Sequence, residues 1–433
     1  MKKILSSLMV LIILTLFVLT GYSSRKTEQL FTSQIKIFNQ AAPEQIKIEL
    51  QNYQRSLFSS SARTALRSQG QEKISFDHQI RHFAWGIKMV TTLANNSDMA
   101  QVIAEKMPLE QFQLKTDINF RGASQSNLEL PAIRFQDASK SLKITGLRAR
   151  WDLNADLTMG EFTGQVDSLL LQQAEQLEMN LSGLAIASQM SVFQDIPLGS
   201  GELQLEKFQL VVQGKPAIEF HNIQYQGQTD LEQDIFSSTA ALNFSAAFLA
   251  EEKLSDGQVK LVLSGVNSEV LRSLQQTAEQ LQNKALNQQS SSLELQLQLF
   301  GLYTQLLQSG ISLDLEKLSL DTENGSINGK GTLVLLNSTA AARSLLSLEN
   351  IKANFQLDID QGAFVTGYRL FNNLQSSGGN KQNSAVLADQ AEQIVGGLEQ
   401  KGIFVRQGGD KFHVEFSLSE GQGKLNGEPF QLD

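Results

Sequence analysis

An uncharged run from Ile4 to Tyr22 (ILSSLMVLIILTLFVLTGY) opens the chain, with Lys2 and Lys3 before it and Arg25 and Lys26 after it. Those 19 residues would rise about 28 Å as a helix, close to the roughly 30 Å hydrocarbon core of a bilayer. The run predicts a transmembrane anchor carrying Ile4, Leu11, Leu16 and Tyr22. Cleavage as a secretory signal is the second reading, since Gly21-Tyr22-Ser23 meets a small-x-small site only loosely. Leu30, Phe31, Ile35, Phe38 and Ala42 then recur at helical spacing up to Pro43. The period changes at Ile46, Ile48 and Leu50, which alternate with Lys47, Glu49 and Gln51 as a half-buried strand does. Tyr53 to Arg63 (YQRSLFSSSAR) reads as strand, turn and strand. From Phe83 to Met107 the spacing of Trp85, Met89, Val90, Leu93, Met99, Val102 and Ile103 predicts a second helix, broken near Asn95-Asn96-Ser97. Strands dominate after Pro108.

Those strands repeat loosely. Steps of an apolar residue, one further residue, a Gly or Asn and a second apolar residue recur with their Gly or Asn at 146, 183, 222, 265 and 350, spacings of 37, 39, 43 and 85. Gly and Asn accept positive φ, which suits a bulge or tight bend. Between them lie alternating segments that begin at Gly160, Gly201 and Gly310. The pattern predicts a degenerate unit of about 40 residues, stacked into a long curved sheet. Two helices interrupt it: one at 266–286, with Val270, Leu271, Leu274 and Ala278 on one face, and one at 385–398. The end of the chain reads as a hairpin across Gly408-Gly409 and an Asn426-Gly427 turn. The fold class expected is α+β and mostly antiparallel. Its parts are a tip and anchor at 1–25, a helix, strand and helix region at 26–107, a sheet body at 108–371, a polar loop at 372–383 and a C-terminal helix and hairpin at 384–433.

Composition sharpens this picture. There are 6 Pro, well under the average usage of about 5%, so the chain has few rigid breaks. The absence of Cys excludes disulfides, thiolate metal sites and a Cys nucleophile. It also settles Leu19-Thr20-Gly21, which would open a lipobox: Tyr22 stands where the acylated Cys would have to be. A net charge of −9 argues against nucleic acid as a partner. The 48 Gln are interleaved with Leu, Ile and Phe rather than clustered. His78 and His82 are four apart, a ligand spacing on a helix, but Ile74, Phe76 and Ile80 alternate as in a strand, so no metal site is expected. No nucleophile elbow, phosphate loop, dinucleotide loop or HExxH occurs, so neither catalytic residues nor a cofactor is expected.

The Gly21-Tyr22 exit, the segment containing Tyr53, Arg55, Leu57, Phe58, Ser59 and Ser60, and the closing Gly423 to Phe430 with Asn426 and Gly427 together resemble the YdgA-like family of bacterial inner-membrane proteins, a domain of unknown function. Where the family often carries His-Gly-Pro, His82 is followed here by Phe83 and Ala84, so the tight turn there is the point of departure. The resemblance implies a single-pass inner-membrane protein with its bulk in the periplasm, able to form a homodimer, and it brings no catalytic residue. Lys2 and Lys3 point the same way by placing the amino terminus in the cytoplasm. Two functions follow as expectations: a non-catalytic envelope protein that holds a lipid or other hydrophobic component in a groove of its sheet, or a homodimeric scaffold that pairs through Gln-rich strand edges.

Overall fold

The computed structural model describes residues 25–29, 31–33, 35–36, 39, 46–68, 71–94, 112–137, 139–156, 158–173, 176–193, 196–249, 252–286, 297, 300–302, 304–306, 310–336, 348–375 and 383–430. The run from Ile4 to Tyr22 lies outside them. Among the described residues no helix is long and apolar enough to cross a membrane.

Strands make up most of the structure and belong to one mostly antiparallel sheet. Contacts divide it into two compact units. The first is built on β1 (Ile46–Arg55), β2 (Ser59–Ser68), β3 (Gln71–Phe83), β4 (Gly86–Leu93), β5 (Leu114–Asn119), β6 (Ser124–Gln136), β7 (Lys140–Leu153) and most of β8 (Met159–Gln173), with β1 to β7 pairing in chain order. β9 (Leu177–Phe193) is divided between the units. The second holds β10 (Ile196–Val212), β11 (Lys215–Glu232), β12 (Ile235–Leu249), β13 (Glu252–Asn267), β14 (Ser312–Thr322), β15 (Gly325–Leu335) and β16 (Ile351–Asp360), again paired in chain order. β16 then pairs with β18 (Lys411–Ser419), which also receives β17 (Val405–Gly408) and β19 (Gln422–Leu425), and β20 (Glu428–Phe430) closes the chain against β19.

The repeat has a backbone cause. Gly146, Gly183, Asn222 and Gly265 all have positive φ (63°, 64°, 49° and 80°) and sit inside β7, β9, β11 and β13, every second strand of the series. A residue in the left-handed region inside a strand changes which side the following side chains take. In β11 the apolar positions pass from Ile218 and Phe220 to Ile223 and Tyr225, so the alternation shifts by one across Asn222. Asn350 is the exception: it ends a short 3₁₀ turn, Leu348–Asn350, just before β16.

Among the described residues, three continuous helices stand outside the strands. α1 (Ser268–Leu286) follows β13 directly, with the Asn267 side chain accepting from the Glu269 and Val270 amides (2.9 and 3.3 Å). α2 (Gln361–Gln375) follows β16, and α3 (Ser384–Gln400) starts on Asn383, whose side chain accepts from the Ala385 amide. The described residues between 25 and 39 are also helical.

Two expectations are corrected. The helix expected from Phe83 is, over its described part, a two-residue turn at Ala84-Trp85 followed by strand β4; the remainder, 95–107, lies outside the described residues. Ile87, Val90, Thr91 and Thr92 are β-branched and favour the pleated chain, and burial of Ile87, Thr91 and Leu93 has a period of two. The tight turn forms without Gly-Pro, because Phe83 pairs with Gly86. A Cβ on Gly86 would come 2.3 Å from the Ile118 carbonyl oxygen, so β4 and β5 approach only because this residue has no side chain. The second correction concerns 361–375, read as sheet and then loop. It is α2, whose Ala363 and Phe364 pack on Ile359, Phe412, Phe404 and Val395.

Candidate functional site

The segment from Tyr53 to Ser60 and His82 come together in the first unit. Strand register places Tyr53, Ala62, His78 and Thr91 opposite one another, and Ser60 opposite Ile80 and Met89, on one face of β1 to β4. The helical residues near 27–31 pack on this face: Phe31 meets the His78 ring edge-on at 5.1 Å, and Phe31, Leu50 and Tyr53 surround the core of Ala62, Ile80 and Ile87. A polar strip runs through it. His78 lies between the Thr64 and Thr91 hydroxyls (Nε2 2.8 Å, Nδ1 2.8 Å). His82 lies between Ser60 (Nε2 2.8 Å) and Thr27 (Nδ1 3.4 Å). Both rings are buried, and burial holds them neutral by pushing their pKa values down, His78 to about 4. The Tyr53 hydroxyl is buried beside Ser60 without a hydrogen bond of good geometry, and its burial raises its pKa.

Each histidine nitrogen thus meets a hydroxyl. A serine and histidine at 2.8 Å resemble a nucleophile and base, but the group orienting His82 is Thr27, and a hydroxyl does not stabilise an imidazolium as a carboxylate would. No group of three metal-binding side chains occurs among the described residues. The strip specifies which face the helical segment covers. Arg55 extends the same seam by pairing with Glu28 at 3.5 Å. Leu57 and Phe58 form the β1–β2 turn, where the Ser56 amide bonds the Ser59 carbonyl and the Phe58 carbonyl accepts from the His82 amide (both 2.9 Å). Asn39 also binds this unit, its side-chain amide bonding both the NH and the C=O of Ile48 (2.7 and 2.8 Å) on the outer side of β1.

Asn426 and Gly427 lie elsewhere, at the tip of β19–β20, with φ 54° and 85° as a type I′ turn requires. The Asn426 side chain accepts from the Glu415 amide and donates to the Gly402 and Ile403 carbonyls (2.7, 2.7 and 2.9 Å), which fixes the exit of α3 to β18. The anchor positions Ile4, Leu11, Leu16 and Tyr22 lie outside the described residues.

Sequence reasoning expected an apolar side to the sheet but named none of the residues that form the faces of the second unit. Tyr225, Leu242, Val259 and Leu318 stand opposite one another across β11 to β14. Leu263, Leu313, Leu333 and Ala353 do so across β13 to β16, with Ala240, Leu261 and Leu315 between. At one end of this face the row Leu320, Ile327, Ile359 and Phe412 is covered by α2 and α3. Further along, Leu242, Leu261, Leu313 and Leu333 remain 43, 38, 41 and 40% exposed. The reverse face is polar: Gln204, Gln224, Asn243, Gln258, Ser319, Asn328, Asp358 and His413 form one row across eight strands. A cleft of about 410 Å³ lies there, lined by Asp314, Lys330, Thr332, Asn354 and Gln356 among others.

Compared with known families, residues 1–433 match one described as a bacterial protein of unknown function (DUF945). The chain belongs to this family. It is 22% identical over 253 residues to Protein YdgA of Escherichia coli (strain K12), an alignment covering 51% of this chain and 50% of that protein. The chain thus spans about half the length of the curated relative it matches. No solved structure matches it. As a DUF945 member the chain inherits no assigned activity, so its chemistry rests on the two faces and the polar strip.

Proposed function

We propose that this DUF945 protein is a non-catalytic, membrane-anchored protein of the bacterial periplasm that carries a lipid or other hydrophobic envelope component on the apolar face of its second unit. The observation that carries this reading is the set of aliphatic side chains Leu242, Leu261, Leu313 and Leu333, one on each of β12 to β15 and left about 40% exposed, on a face of which α2 and α3 cover another stretch. Contiguous apolar surface of this kind calls for a ligand or partner, because its hydration is unfavourable by about 25 cal/mol per Å². An acyl chain fits better than a compact polar metabolite: it needs length and no hydrogen bonds, and the rows offer aliphatic carbon in register across successive strands. The apolar run from Ile4 to Tyr22 would hold such a protein where lipids are its nearest substrates.

Titration of the full chain with a dansyl-labelled fatty acid tests this. Saturable binding with blue-shifted emission is expected, weakened about tenfold, or 1.4 kcal/mol, in the double variant Leu261→Gln/Leu333→Gln. Equal binding by the variant and the parent would overturn the reading.

A further inference from the structure

The exposed aromatic side chains of the first unit share a location. Phe58 is in the β1–β2 turn, Trp85 in the β3–β4 turn and Phe120 in the β5–β6 turn, exposed by 55, 65 and 39%. Alternate turns of an antiparallel series lie at the same end of the strands, and contacts join these three. The Phe58 carbonyl accepts from the His82 amide, the rings of Phe83 and Trp85 stack at 5.4 Å, and Gly86 pairs with Asn119 beside Phe120. Met159, at the start of β8 after the next turn on that side, is 59% exposed. A folded unit gains nothing in water from placing a Trp, two Phe and a Met at its turn tips, where smaller polar residues are the usual choice.

The chain enters the unit at this same end. The Lys26 ammonium donates to the Phe120 carbonyl (3.1 Å), and Thr27 reaches His82. Only Ser23 and Ser24 separate Arg25 from Tyr22, the last residue of the apolar run, and three extended residue steps span at most about 11 Å. We infer that this end, with Phe58, Trp85 and Phe120 at its tips and Arg25, Lys26 and Arg121 beside them, docks into the lipid headgroup layer around the anchor. This rests on the anchor in the proposed function. Trp and Phe at turn tips suit the interface, where rings sit among headgroups, and the basic side chains face anionic phosphates there.

The two tryptophans of the chain, Trp85 and Trp151, make the test direct. The full-length Trp151→Phe protein is reconstituted into vesicles of phosphatidylcholine and phosphatidylglycerol, with or without bromine on the upper acyl carbons, and floated on a density gradient. Expected is flotation together with blue-shifted Trp85 emission that brominated lipid quenches by about half or more. Flotation with unquenched, water-like Trp85 emission would overturn the docking and leave the anchor standing. Failure to float would overturn both. An added Phe58→Ser/Phe120→Ser change that keeps flotation but red-shifts Trp85 supports docking by the tips together, whereas unchanged emission counts against their cooperation.

Discussion

His78 shows what a single buried side chain contributes here. Both its nitrogens are occupied by threonine hydroxyls under Phe31, and its pKa is lowered by burial from 6.5 to about 4. The unfolded chain therefore takes up a proton below pH 6.5 that the folded one resists, so stability is full above the unfolded value and falls as pH drops from 6.5 toward about 4. The full loss is on the order of 3 kcal/mol for such a shift. His82, lowered in the same direction, adds to it. Urea unfolding at a series of pH values should show this decline, and His78→Gln should flatten it while costing some stability at pH 7.5. An unchanged slope in the variant would mean that the decline comes from other groups.

At the level of elements, legibility followed how local each cause is. The helices at 268–286 and 384–400 and the Asn426-Gly427 turn were readable because periodicity, an N-cap and an Asn-Gly pair act within a few residues. Gln213-Gly214, Gln233-Asp234 and Glu420-Gly421 adopt the same double positive-φ turn without so clear a signal. Strand β4 was hidden because Trp85, Met89 and Leu93 fit a helical stripe as well as a sheet. Only pairing with β3 and β5 decides between them. α2 was hidden because its apolar residues follow a strand without a break. The repeat was legible through glycine, and it carries a prediction. Gly146→Ala or Gly183→Ala should cost about 1–2 kcal/mol, because each forces an L-residue into the left-handed region. Asn222→Gly should cost less, losing only the Asn222 to Ser245 hydrogen bond of 2.9 Å. Denaturant midpoints would check the order, and equal losses at all three would contradict the left-handed backbone as the cause.

On the scale of the molecule, family membership supplies no activity, so function has to be argued from surfaces. Alternation in the sequence correctly implied one apolar and one polar side to the strands. It could not say which part of the apolar side its own helices cover, since that depends on where α2 and α3 fold back, a matter of long-range packing on Ile359 and Phe412. The polar strip of Tyr53, Ser60, His78 and His82 was partly visible as a motif, but the hydroxyl partners Thr27, Thr64 and Thr91 lie on the N-terminal helical segment, β2 and β4, and no spacing announces them. The central claim is that lipid lies on the face bearing Leu333 and not on the reverse face bearing Thr332. Photo-crosslinking in living cells with p-benzoyl-phenylalanine in place of Leu333, and separately in place of Thr332, followed by mass spectrometry of the purified full chain, tests it most directly. Lipid adducts at position 333 and none at 332 are predicted; adducts at both positions, or at neither, would contradict the account.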